Sequence, residues 1–501
     1  MKKQMIKRFS AAVLCCLVLL GITPSTGAFA ADGSSYVYDG YVYDFWGEAQ
    51  ECPAAFALSG IIDNDSLGNM NFGSIDDVST SADGRIFIAD KTGETDAEGK
   101  SLGGAVYVFD EKGNFLTKIK TIWNDAGKIE LNEDGSQVQL KGPTGTYYHD
   151  KNDELYIADS VNKTVYVLDG QTYKIKMKIG EPENLSGDTE YIPSKVTVDQ
   201  ADRIYIVVQS SYEGIIELNE DGTFSRYFGV NEPEVNLVEF FWKSLATDTQ
   251  KKKMGKIYAP AFTNVTMDAE GFVYAVTNDS ASVDSVFRLN SKGENVLREM
   301  QFPITGDLIT LGTNSSFIDI AVTDYGVYAV LDNTRGRIFL YDFDGQILNV
   351  FGGYGKAKGQ FVKPTSIAWN GYNLIVTDTD LRCIYILEPT EFGDVMLRAS
   401  EAYYNGRWDE ATELFHECIR WNSNYEVAYI GIGKNHLMKD EYEEAMYYFE
   451  LGNARAYYSD AYNGYRGEVI KDNFWIFAVL FVIGITALIA SEVRYHKKNK
   501  L

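Results

Sequence analysis

Six positions, one in each of six recurring sequence units, carry most of the chemistry this chain can offer. They are Asp77, Gly145, Lys195, Asn264, Asp319 and Ser366, and aligning the strand that opens each unit makes them equivalent. Asp77, Asn264 and Asp319 are hard oxygen donors of the kind that hold calcium. Lys195 among them points elsewhere, because an ammonium pairs with a carboxylate and leaves a hydrated polar channel with its own ion pair. We expect that second arrangement, with no resident cofactor and with Asp77, Lys195, Asn264, Asp319 and Ser366 as the channel's binding groups. The repeat region holds one histidine, His149, which excludes a multi-histidine zinc centre. It shows no phosphate-binding glycine loop and no His/Ser/Asp constellation with a spacing signal.

The elements that must position this ring repeat with it. A β-branched and aromatic phrase returns six times, as Ile86-Phe87-Ile88-Ala89-Asp90, Leu155-Tyr156-Ile157-Ala158-Asp159, Ile204-Tyr205-Ile206-Val207-Val208, Val273-Tyr274-Ala275-Val276, Val327-Tyr328-Ala329-Val330 and Leu374-Ile375-Val376-Thr377-Asp378. Such runs suit strands buried on both faces. A tight turn of the Asp83-Gly84, Glu270-Gly271 or Asn370-Gly371 kind precedes several copies. A third strand follows each copy, and a fourth ends in Phe-Gly in Tyr227-Phe228-Gly229 and Val350-Phe351-Gly352. Four antiparallel strands repeated six times predict an all-β six-bladed propeller. The last unit lacks a fourth strand, and Tyr36–Gly47 is predicted to supply it, closing the ring. Cys52 and Cys383 then fall in one blade, within reach of a disulfide. Two units are long. Trp123–Leu140 reads as a hairpin turning at Asp134-Gly135. Glu234–Met254 reads as a helix whose Leu237, Phe240, Phe241 and Trp242 could cover the channel mouth or dock a partner.

Pro143 to Asp169 and Pro364 to Leu387 follow the pattern Pro-x-small-hydrophobic, Asp or Gly, Tyr-Ile-Ala-Asp, then a strand ending Phe-Asp-x-x-Gly. Over residues 70–390 the chain thereby resembles the NHL-repeat propellers. The resemblance implies that Asp90, Asp159 and Asp378 brace turns. Blades three to five read as lacking that aspartate, with Val208, Thr277 and Leu331 in its place. Some propellers of this kind are metal-dependent lactonases or lyases acting in the channel, which makes such an enzyme the alternative function.

The ends set the topology. Lys2, Lys3, Lys7 and Arg8, an apolar run from Ala11 to Ile22 and Ala28-Phe29-Ala30 have the layout of a signal peptide over residues 1–30. Phe474 to Ala490 is uncharged, and Arg494, Lys497, Lys498 and Lys500 follow it, which predicts a transmembrane helix over 472–491 and a cytoplasmic tail over 492–501. The formal charge is -25, and the part between the ends carries about -32, which repels nucleic acid. Between a propeller domain over 31–391 and the span, the segment 392–471 turns helical. Gly406-x-Trp408-x-x-Ala411-x-x-x-Phe415 is echoed by Asp440-x-Tyr442-x-x-Ala445-x-x-x-Phe449, 34 positions on. The segment resembles two tetratricopeptide repeats, and we expect a stalk with a docking face. The whole predicts a cell-membrane protein with one span and its bulk outside. Its function is then binding or scaffolding for a protein partner such as a transporter or envelope complex.

Overall fold

A computed structural model describes residues 40–498, apart from 68–70, 94–100, 133, 184, 186–189, 210, 212, 230–260, 279–284, 298–305 and 308–314. Twenty-five strands and six α-helices are described. The first three strands are β1 (Gly40–Tyr43), β2 (Ala49–Glu51) and β3 (Phe56–Ile62). Blade one is β4 (Ile75–Thr80), β5 (Ile86–Asp90), β6 (Ala105–Phe109) and β7 (Phe115–Ile119). Blade two is β8 (Pro143–His149), β9 (Glu154–Asp159), β10 (Thr164–Asp169) and β11 (Ile175–Ile179). Blade three is β12 (Pro193–Val198), β13 (Ile204–Val208), β14 (Ile215–Leu218) and β15 (Phe224–Phe228). Blade four shows β16 (Phe262–Met267), β17 (Val273–Thr277) and β18 (Val286–Leu289). Blade five has β19 (Phe317–Val322), β20 (Tyr328–Asp332), β21 (Arg337–Tyr341) and β22 (Ile347–Gly352). Blade six has β23 (Pro364–Asn370), β24 (Asn373–Asp378) and β25 (Cys383–Pro389). The recurring phrase is the second strand of every blade, and its residues are buried throughout β5, β13, β17 and β20. The hairpin after blade one turns at Asp134-Gly135, where Gly135 N–H bonds the Asn132 carbonyl.

The ring is closed by an early strand, but not by the predicted one. β3 pairs antiparallel with β25, Ile62 opposite Ile384 and Phe56 opposite Pro389. Tyr41 and Val42 of the expected segment instead form β1 on the outside of blade five, where Gly40 and Tyr41 pair with Phe351 and Val350 of β22, and β2 adds one further strand. Blade five thus reaches six strands, and each fourth strand of blades five and six has an N-terminal neighbour or substitute. Cys52 and Cys383 therefore belong to different blades. Both are buried free thiols, as is Cys418, and burial pushes the first two up to about 11.

The repeated aspartate does brace turns. Asp90 accepts from the N–H groups of Gly73 (2.6 Å), Ser74 (2.9 Å) and Gly93 (2.9 Å); Asp159 does so from Lys141, Gly142 and Asn162, and Asp378 from Val362, Lys363 and Leu381. Blade five is not an exception. Asp332, one place beyond Leu331, lies opposite Phe317 as Asp378 lies opposite Pro364, and it accepts from Ser316 and Thr334 N–H. Val208 and Thr277 do hold the position in blades three and four.

The helices are α1 (Glu391–Tyr404), α2 (Trp408–Trp421), α3 (Glu426–Met438), α4 (Tyr442–Leu451), α5 (Arg455–Asp472) and α6 (Phe474–Lys498). Small residues let neighbouring helices close on aromatics: a Cβ at Gly433 would stand 2.7 Å from the Phe449 ring, and Ala411 and Ala445 are buried. This unit is not a free stalk. Phe392, Met396, Phe415, Tyr425 and Ile432 share one hydrophobic core with Val42, Phe56, Leu340 and Phe351 of blades five and six. Residues Phe474–Lys497 of α6 are long and apolar enough to cross a membrane, and none of the described residues buries them.

Candidate functional site

Each first strand carries a bulge at one place. The pairing skips a residue between Ile75 and Asp77, Pro143 and Gly145, Pro193 and Lys195, Phe262 and Asn264, Phe317 and Asp319, and Pro364 and Ser366. A bulge re-aims the residue after it. Repeated six times, it delivers the six predicted positions to the centre of the ring. Bulged hydroxyls fix the kink: Thr365 Oγ1 donates to the Ile75 carbonyl (3.0 Å), and Ser194 and Thr263 bond Val207 and Val276 carbonyls.

The structure brings together all five predicted channel side chains. The Lys195 ammonium bonds and ion-pairs with Asp77 and reaches the Asp76 carbonyl at 3.1 Å. The Ser366 hydroxyl lies 2.9 Å from Asp77 Oδ1 and 2.5 Å from Asp319 Oδ2, and its single proton serves one of them at a time. Asn264 Nδ2 donates to Asp319. Backbone N–H groups complete the set: Thr146 to Asp77 (2.6 Å), and Ile320 and Ile367 to Asp319 (2.7 Å each). Blade two gives only that N–H. A Cβ at Gly145 would collide with the Ser194 carbonyl, and Lys195 reaches past it from blade three to blade one. One polar hub therefore ties all six blades. Burial pushes the Asp319 carboxyl up to about 7, with Lys195 opposing. Burial also penalises the Lys195 ammonium, yet Asp77 and Asp319 more than offset this and raise its pKa.

A divalent cation fits this hub poorly. The Asn264 carbonyl oxygen already accepts from Val265 N–H at 2.5 Å, its amide faces Asp319, and an ammonium occupies the centre. The hub faces a channel cavity of about 140 Å³, lined by Asp77, Lys195, Asn264 and Asp319 together with Tyr147, Thr266, Val322 and Trp369 among others. At roughly 30 Å³ per water that is room for a few waters, well below the roughly 300 Å³ where small-molecule pockets begin.

A larger opening lies elsewhere. Between the outer edges of blades five and six and the start of the helical unit runs a groove of about 1520 Å³, bounded by Glu51, Pro53, Ala57, Tyr354, Lys358 and Trp421 among others. No local pattern marks it, because β2, β3, the Tyr354–Phe361 loop and the end of α2 meet only in the fold. A second unforeseen cluster holds the helical unit in place. Lys434 of α3 is buried, bonds Asp344 at 2.7 Å, and lies over the Tyr403 and Tyr457 rings. Burial pushes the neighbouring Asp342 up to about 7, with Lys434 opposing. Phe343, between the two aspartates, stacks on Tyr403 at 5.6 Å. The predicted docking residues Leu237, Phe240, Phe241 and Trp242 lie outside the described residues, as does the expected signal segment.

No family model matches this chain, and no curated protein matches it. Among solved structures it is similar to virginiamycin B lyase from Staphylococcus aureus (11% identity, TM-score 0.38, 66% of this chain and 99% of that one). It is likewise similar to the Cps50 (Swd1) β-propeller domain of Myceliophteria thermophila (12%, 0.39, 67% and 100%) and to hydrazine synthase of Kuenenia stuttgartiensis (10%, 0.38, 66% and 97%). The six-bladed ring stands on its own strand pairings.

Proposed function

We propose that this chain is a membrane-anchored, extracytoplasmic binding and scaffolding protein. In this reading residues 1–30 are a signal peptide, α6 is the anchor with a cytoplasmic tail, the propeller is of NHL type, and α1–α4 are two tetratricopeptide-like repeats. The groove between blades five and six and the helical unit carries the reading. It is ten times the size of the channel cavity and opens at the junction with the unit that leads to α6. A partner in the membrane or envelope, such as a transporter complex, would meet it there. The channel-enzyme alternative has less support, because the hub's carboxylates are engaged with protein donors from blades two to six.

Site-directed photo-cross-linking in intact membranes tests this. A photoreactive residue at Tyr354 or Ala57 should give a discrete adduct, and one at the exposed Val161 of the β9–β10 turn should not. Recovery of unmodified monomer from all three positions would sink the proposal.

A further inference from the structure

The groove differs from the rim of blades one to three in charge and in the strand that borders it. The outer strands of blades one to three carry cations: Lys118 in β7, Lys176 and Lys178 in β11, and Arg226 in β15. Charges of this kind protect a sheet edge against pairing with another chain. β3, the outer strand of blade six, reads Phe-Ala-Leu-Ser-Gly-Ile-Ile and has none. It pairs with β25 on one side, and its exposed side chains are the small Ala57 and Ser59. A further strand can approach such an edge without displacing anything bulky.

The groove continues past Trp421, which is 45% exposed, into a smaller recess of about 640 Å³ that shares Thr390, Glu391 and Trp421 with it. Five carboxylates line the two openings: Glu51, Glu388, Glu391, Asp394 and Glu417. Against them stand two cations, Lys358 and Arg398, and Arg398 lies 3.4 Å from Asp394. The surface is therefore net acidic around an exposed indole. A guanidinium or ammonium over an indole face gains cation–π attraction, and surrounding carboxylates add to it.

We propose that this groove binds an extended, basic peptide segment of a partner protein. Its backbone pairs with the edge of β3 that no described strand occupies, and an Arg or Lys side chain lies over Trp421 among Glu388, Glu391 and Glu417. This rests on the reading of the chain as a binding protein and names the chemistry of its partner.

The test uses the full-length protein in detergent and two fluorescein-labelled peptides, one of alternating valine and arginine, the other of alternating valine and glutamate. Anisotropy should show saturable binding of the first and none of the second. Trp421→Ala should weaken binding at least tenfold, and so should the charge reversal Glu391→Lys/Glu417→Lys. Ala57→Lys, which places a cation on the β3 edge, should weaken it likewise while leaving the melting temperature unchanged. Raising salt from 50 to 500 mM should weaken it several-fold. Equal binding of both peptides, or binding untouched by Trp421→Ala, would overturn the proposal. So would self-association of the protein that Trp421→Ala abolishes, which would assign the groove to a second copy. Photo-adducts at Tyr354 without any peptide binding would overturn it while leaving the scaffolding function standing; absence of both would remove both.

Discussion

Replacing Asp319 should show whether the hub holds the propeller together and in which protonation state. Asp319 accepts from Ile320 and Ile367 N–H at 2.7 Å, from Ser366 Oγ, and from Asn264. It is 1% exposed, so alanine leaves two buried backbone donors without partners and Lys195 with less negative charge around it. Each orphaned donor costs about 1–3 kcal/mol, and losing one member of a buried charged network costs about 3–5 kcal/mol, so Asp319→Ala should lose about that much. Asparagine keeps the shape and one acceptor, and its effect should depend on pH. The folded-state pKa of Asp319 is raised, so the folded protein holds that proton more tightly than the unfolded chain. Its stabilising contribution is then fully present below about pH 4 and lost as pH rises through about 7. Asp319→Asn lacks this loss, and its urea midpoint relative to the parent should improve steadily from pH 5 to pH 8. Midpoints of the full-length protein in detergent, followed by near-ultraviolet circular dichroism, measure both effects. A relative midpoint that worsens with rising pH would refute the reasoning, because it would mean that the hub favours the ionised carboxylate.

Three further outcomes are expected. Lys434→Met leaves Asp344 and Asp342 buried without their cation, and it should cost about 3–5 kcal/mol and open the α1 region to limited proteolysis, with Lys434→Met/Asp344→Asn partly restoring resistance. Unchanged digestion would argue that the aromatic contacts alone dock the helices. Gly393→Ala drives a Cβ into the Ala55 carbonyl and should lower the melting temperature, whereas Gly467→Ala in α5 meets nothing and should stabilise by about 0.5–1 kcal/mol. Asp332→Ala should destabilise by about 1–3 kcal/mol, because Ser316 and Thr334 N–H lose their acceptor, and a change within 0.5 kcal/mol would contradict its role as a turn brace.

How far the chain could be read depended on whether a feature was local. The strand phrases, the Gly turns and the six ring positions are written into each unit, so their placement survives without tertiary knowledge. Asp332 was missed because the phrase ends one residue later in blade five, and only the pairing with Phe317 shows the register. The closing strand was misplaced because Tyr41-Val42-Tyr43 has the stronger β propensity, while Phe56–Ile62 contains Ala, Ser and Gly. Contacts across the ring decide between them: Asn349 Oδ1 accepts from Ala55 N–H at 3.0 Å, and Thr390 N–H bonds the Ala55 carbonyl at 2.9 Å. Lys434 carries no local signal, since its burial depends on a blade-five turn 90 positions earlier.

The closure by β3 has a consequence for how the protein is made. Thr390 bonds Ala54 across 336 positions. At roughly 5–20 residues per second, synthesis of that interval takes on the order of 20–70 seconds. The first five blades can pair within themselves as they emerge, but β3 must wait through all of them with its uncharged edge unpaired. When β25 arrives, the next residues are the start of α1, which rests on the same Ala54–Ala55 segment. Ring closure and docking of the helices then become one event. A nascent chain stalled before Thr390 would keep an open blade, and it would be the form most exposed to pairing with another chain.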